Sequence, residues 1–145
     1  GFREMLYEDL YQDPKNAKRT LEAAFMTTFG FEFELLAPII QSPVKLVLAN
    51  DYSGQELKPI EKAYQGFQNL TLIHPPKNTS GGYPGAFHPK LWLFKFPSML
   101  RVVVSSGNLT CGDWSVWSNC LWFQDFPKKQ PQKPTEKKPE PVSGF

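Results

Sequence analysis

The stretch FHPKLWLFKFPSMLRVVVSSGN, from Phe87 to Asn108, decides the fold. Its apolar runs Phe87–Phe96 and Leu100–Ser105 are rich in aromatic and β-branched residues and are separated by Pro97-Ser98. Runs of that kind, bounded by turn residues, read as two neighbouring strands. Upstream, Leu70–His74 (LTLIH) reads as a strand closed by Pro75-Pro76, and Val44–Ala49 (VKLVLA) as a buried strand between Pro43 and Asn50-Asp51. Between these two, residues 55–66 place Leu57, Ile60 and Tyr64 at helical spacing, with Gly66 as the stop. Residues 32–40 (EFELLAPII) read as a short helix and residues 25–31 as a strand. Helical stretches are expected near residues 4–11 and 16–24. Downstream, residues 78–85 and Gly107–Gly112 are loops, and Trp114–Phe126 is a last apolar run. Helix–strand alternation followed by a strand-rich end implies an α/β domain, a mixed β-sheet flanked by helices.

Length and composition agree with one domain. The chain has 145 residues, 41% of them hydrophobic and 14% aromatic, too apolar and aromatic for a disordered polymer. No run approaches eighteen apolar residues, so no membrane-spanning helix and no membrane partner is expected. The formal net charge of +2 becomes informative once divided. Residues 127–145 hold five Lys, two Glu and five Pro, and read as an extended Lys/Pro-rich linker or tail. Residues 1–126 are left with eleven basic and twelve acidic residues, a net charge of −1. Bulk charge therefore does not make the domain a nucleic-acid binder, and phosphate affinity has to come from a local site. The two cysteines, Cys111 and Cys120, cannot form a disulfide scaffold. With only His74 and His88 beside them and no CxxC, they argue against a structural zinc site.

Three polar residues stand out within the strand-rich end. His88 and Lys90 are two apart, which in a strand points both side chains to one face, and Pro89 between them suits a strand edge or start. Asn108 follows Gly107 just beyond the next strand. Neighbouring strands would bring all three to one end of the sheet, where α/β folds build sites. Imidazole, ammonium and carboxamide together suit phosphoryl chemistry. A neutral imidazole nitrogen attacks phosphorus, an ammonium neutralises the non-bridging oxygens, and a carboxamide donates to those oxygens or holds the ring. The scheme needs no metal and no cofactor.

His-x-Lys, seventeen residues and then Asn resembles the first HKN motif of the tyrosyl-DNA phosphodiesterase family, a branch of the phospholipase D superfamily. Leu100–Trp114, with its strand and its Asn-Leu-x-x-x-Asp-Trp loop, is similar to the same family, and the likeness covers roughly residues 20–126. The resemblance implies one phospholipase D-like lobe over residues 1–126. His88 would be a nucleophile attacking a phosphodiester at a DNA 3′ end, forming a covalent phosphohistidine and expelling tyrosine or another blocking group. Lys90 and Asn108 would bind the phosphate oxygens, while Tyr83 and Asn119 would contact the DNA. It also implies a DNA-repair role in the nucleus.

Two departures matter. The family uses two HKN motifs, the second His serving as general acid. Here His74 is the only other His and has the wrong spacing, so the chain holds half a site that a second phospholipase D-like lobe, in cis or in trans, would complete. Gly107 stands where a small hydroxyl residue is expected. The alternative is a catalytically inactive lobe serving as a DNA- or protein-binding module. A lipid- or nuclease-type phosphodiesterase fits less well, because its motif usually has a shorter gap and ends in Asp. Trp114, Trp117 and Trp122 read as core or lobe-interface aromatics, and His74 as a surface residue at a strand end.

Overall fold

In the computed structural model, the residues described are 10–13, 21–77 and 85–129. Among these residues six strands form one sheet: β1 (Ala23–Thr27), β2 (Lys45–Ala49), β3 (Leu70–Ile73), β4 (Leu91–Lys95), β5 (Met99–Ser105) and β6 (Leu121–Pro127). Their order is β3-β2-β1-β4-β5-β6. β1, β2 and β3 are parallel, and the intervening helices α1 (Phe33–Ile40) and α2 (Leu57–Tyr64, entered through a 3₁₀ turn at Gly54–Glu56) supply the crossovers that parallel pairing requires. β4, β5 and β6 are antiparallel, the first two joined by the short turn at Pro97-Ser98 and the last two by a loop carrying α3 (Cys111–Ser115). The result is a mixed α/β sheet.

Strand alternation sets the core. Met26, Leu46, Leu48, Trp92, Phe94 and Val103 point to one face and pack against Leu35, Leu36, Ile39 and Ile40 of α1. Each such side chain, once removed from water, contributes roughly 1.5–3 kcal/mol. The opposite face carries half-buried Phe25, Leu93 and Val102, and exposed Leu100, Val104, Trp122 and Phe126.

Several boundaries differ from the sequence reading. β1 begins at Ala23, so the helix expected over 16–24 does not include its last two residues, and residues 14–20 lie outside the described set, as do 4–9 of the first expected helix. β4 begins at Leu91 instead of Phe87, because Pro89 has no N–H to give to a ladder. Pro127 closes β6 opposite Met99 instead of opening the tail, which an edge strand permits. Residues 130–145 lie outside the described set. Trp117 and Trp122 are exposed and therefore not core, whereas Trp114 packs against the core cluster.

Arg101 is the buried polar anchor of the antiparallel half. Its side chain is 1% exposed, and its guanidinium meets the cross-strand partner Asp125 through Nε–Oδ1 at 2.6 Å and Nη2–Oδ2 at 2.8 Å. Nη1 donates to the carbonyls of Leu10 and Gln12, so the same group ties residues 10–13 to the sheet. The rings of Phe96 and Phe123 lie 5.6 and 5.0 Å from the guanidinium carbon.

The loop after β5 is fixed by a close approach at Gly107. A Cβ there would lie 2.8 Å from Trp114 and 2.9 Å from Asn119, so only hydrogen fits. The hydroxyl of Ser105 accepts from Gly107 N and donates to Gly107 O, closing the turn.

Two stability outcomes follow. Asp125→Ala leaves the buried guanidinium without its carboxylate and costs about 3 kcal/mol by chemical denaturation, whereas the double change Arg101→Met/Asp125→Leu costs less. Gly107→Ala costs about 1–3 kcal/mol through overpacking against Trp114 and Asn119, read by the same measurement.

Candidate active site

The polar groups gather where β1, β2 and β3 end and β4 begins. Two adjacent threonines at the end of β1 organise this edge. Thr27 Oγ1 accepts from Leu91 N at 2.8 Å and lies 3.0 Å from the carbonyl of Pro89, taking the bonds that the ladder loses at the proline. Thr28 Oγ1 donates to Gly30 O at 2.6 Å and accepts from Leu109 N at 3.2 Å. One dipeptide therefore holds the chain next to Lys90 and the chain next to Asn108.

His88 lies exposed on the segment entering β4, and Lys90 is buried at 7% exposure. The Lys90 Nζ is 2.8 Å from Nδ1 and 3.0 Å from Nε2 of His88. An ammonium only donates, so the imidazole is the accepting partner in this contact. Burial lowers the Lys90 pKa, and the nearby Asp113 carboxylate opposes that shift. The Phe29 ring lies 5.4 Å from the His88 ring, and the Phe29 backbone N–H donates to Asn108 Oδ1 at 3.3 Å. Phe29 thus stands between the imidazole and the carboxamide. Asn108 makes no direct bond to His88. Its Nδ2 donates to Asp113 Oδ2 at 3.2 Å, which takes one of its two N–H groups.

The remaining expected residues fall as follows. Asn119 Nδ2 donates to Asp113 O and its Oδ1 accepts from Ser106 at 2.7 Å, so it braces the Asn108 loop from behind. Trp114 Nε1 donates to Asn108 O and completes the brace. Tyr83 lies outside the described residues. His74 is half-buried, unlike the surface residue expected from sequence, with Nδ1 3.1 Å from Asn50 Oδ1 and a buried Nε2 that has no partner among the described residues.

Sequence reasoning missed the Asn50-Asp51 pair, reading it only as the stop of β2. Asn50 is fully buried, and its Oδ1 also accepts from Tyr52 N. Asp51 accepts from Phe87 N at 2.6 Å and pairs with Lys77 at 2.9 Å. Burial on its own would raise the Asp51 pKa, but the Lys77 ammonium and the Phe87 N–H outweigh it and hold the carboxyl below its ordinary value. Two buried polar residues directly after an apolar strand were the available signal. A surface cleft lined by Glu22, Lys95, Pro97 and Phe126 lies at the other end of the sheet and holds none of these groups.

The family described as tyrosyl-DNA phosphodiesterase matches residues 4–145. Tyrosyl-DNA phosphodiesterase 1 of Arabidopsis thaliana is 43% identical over 49 residues, which are 34% of this chain and 8% of that protein. The chain thus matches a small part of this relative's length. Among solved structures, NucT from Helicobacter pylori shares the fold with a TM-score of 0.52 at 16% identity, over 72% of this chain and 68% of its own. No described helix is long and apolar enough to cross a membrane. With its α/β sheet and a family match across nearly its whole length, the chain belongs to the tyrosyl-DNA phosphodiesterase family.

Proposed function

We propose that this lobe carries the nucleophilic half of a phosphodiesterase site acting on DNA 3′ ends that bear a blocking adduct. The observation that carries the reading is the Lys90 ammonium 2.8 Å from the ring of exposed His88, with Asn108 held next to it through Phe29. A ring nitrogen of His88 attacks phosphorus. The P–N bond forms, the P–O bond to tyrosine or another blocking group breaks, and the leaving oxygen takes a proton from a general acid. Water then attacks the phosphohistidine, gives its proton to the group that earlier served as general acid, and the P–N bond breaks. Lys90 moves from the imidazole to a non-bridging oxygen, where it neutralises developing charge, and the second N–H of Asn108 Nδ2 donates to the same phosphate. Tyr83 contacts the DNA beside the scissile bond, and Asn119 acts through the Asn108 loop that it braces. The general acid comes from a second phospholipase D-like lobe, in cis or as a second copy across a two-fold axis. Repair of DNA ends in the nucleus is the corresponding role.

A second reading is an inactive lobe that binds DNA ends or a protein. It is favoured by the Asn108 carboxamide, which is already bonded to Phe29 and Asp113 on its two atoms.

A 3′-phosphotyrosyl oligonucleotide incubated with the chain and a supplied second lobe, then denatured and resolved by mass, separates the two. The enzymatic reading expects a covalent protein–DNA adduct that His88→Ala abolishes. A folded wild type without adduct, and a His88→Ala variant that binds the oligonucleotide as wild type does, would establish the inactive module. A pH profile tests Lys90. Its lowered pKa means the ammonium is present at low pH and lost as pH rises through a value below that of a free lysine. Adduct formation should fall along that alkaline limb, and Lys90→Arg should move the limb upward.

A further inference from the structure

We infer that Asp51 is the positioning residue of this site: its carboxylate grips the backbone just before His88 and thereby presents the imidazole. The inference rests on the reading of His88 as nucleophile.

β4 starts only at Leu91, and Pro89 has no N–H to give to a ladder; ahead of Leu91 the chain pairs with β5 at Lys90 O, which accepts from Ser105 N at 3.0 Å, and not at Phe87 or His88. Something else must fix the backbone at His88, and the Phe87 N–H goes to Asp51 Oδ1 at 2.6 Å. A charged acceptor makes this a strong, short bond. The second carboxylate oxygen meets Lys77 Nζ at 2.9 Å, on the chain leaving β3. The backbone of Asp51 also contributes, its N–H donating to Phe29 O at 3.2 Å, and the Phe29 ring rests against His88. One residue therefore touches both neighbours of the imidazole, Phe87 in sequence and Phe29 in space. Its side chain is only 7% exposed. A carboxylate serving solubility would be solvated, whereas this one is withdrawn from water and matched to a backbone donor and an ammonium. The charged and titratable groups around it are Lys77 and His88, and the Lys77 ammonium, in direct contact, favours the ionised form.

Three variants of the full chain test this: Asp51→Asn, Asp51→Ala and Lys77→Met. Asparagine keeps an oxygen for the Phe87 N–H and gives up the charge. With the phosphotyrosyl oligonucleotide and the second lobe supplied, Asp51→Ala should slow single-turnover adduct formation roughly 10- to 100-fold while oligonucleotide affinity changes less than about threefold. Asp51→Asn should recover most of the rate, and Lys77→Met should cost less than Asp51→Ala. Amide exchange at Phe87 and the His88–Phe29 ring contact, both read by NMR in the free protein, provide a readout independent of turnover. Both should be lost in folded Asp51→Ala and kept in Asp51→Asn. A folded Asp51→Ala that keeps wild-type rate, or keeps the protected amide and ring contact, overturns the inference. Equal damage in Asn and Ala variants overturns it as well. Absence of adduct with wild type counts against the nucleophile, and the NMR readout still decides the role of Asp51.

Discussion

The proline between His88 and Lys90 is the constraint on which the site depends. Pro89 has no N–H, the chain entering β4 meets β5 through Lys90 O and Ser105 N, and the N–H groups of Phe87 and Leu91 go to side chains. Thr27 takes the Leu91 N–H, and Asp51 takes the Phe87 N–H. The imidazole and ammonium are thus released from the pleat of a regular strand, yet each is held from both sides. A regular strand would have pointed both side chains the same way at a fixed spacing of two residues. The irregular entry lets the buried ammonium reach the ring of the exposed imidazole.

The Asn108 side is built by a different device. Its loop is closed by Ser105 on Gly107 and braced by Asp113, Trp114 and Asn119. The absence of a side chain at Gly107 is a packing requirement, because Trp114 and Asn119 occupy the place a Cβ would take. A hydroxyl residue at this position would collide with the brace that orients the carboxamide. The two halves meet at Phe29, whose backbone reaches Asn108 and whose ring reaches His88.

Among the described residues, the edge brings together an imidazole, an ammonium and a carboxamide, with the carboxylates of Asp51 and Asp113 already paired. The only other histidine of the chain, His74, is committed to Asn50 at the end of β3. Asp113 is the carboxylate next to Lys90 and already accepts from Asn108 and Thr110. In the reaction proposed above, protonation of the leaving group falls to a partner lobe.

The strands, their approximate limits and the α/β class were legible in the sequence, because β-branched and aromatic runs between Pro and Gly carry their own conformational preference. The HxK…N spacing was legible for the same local reason. The strand order, with β4 inserted beside β1, was not, since it depends on pairing between residues some seventy positions apart. Nor were the roles of Thr27, Thr28, Asp51 and Phe29, ordinary residues until tertiary contact gives them a partner. The sequence by itself determined which chemical groups are available and on which kinds of element they sit. Only the tertiary structure decided which of them meet, because hydrogen bonds reaching 36 to 81 residues along the chain set the geometry of the site.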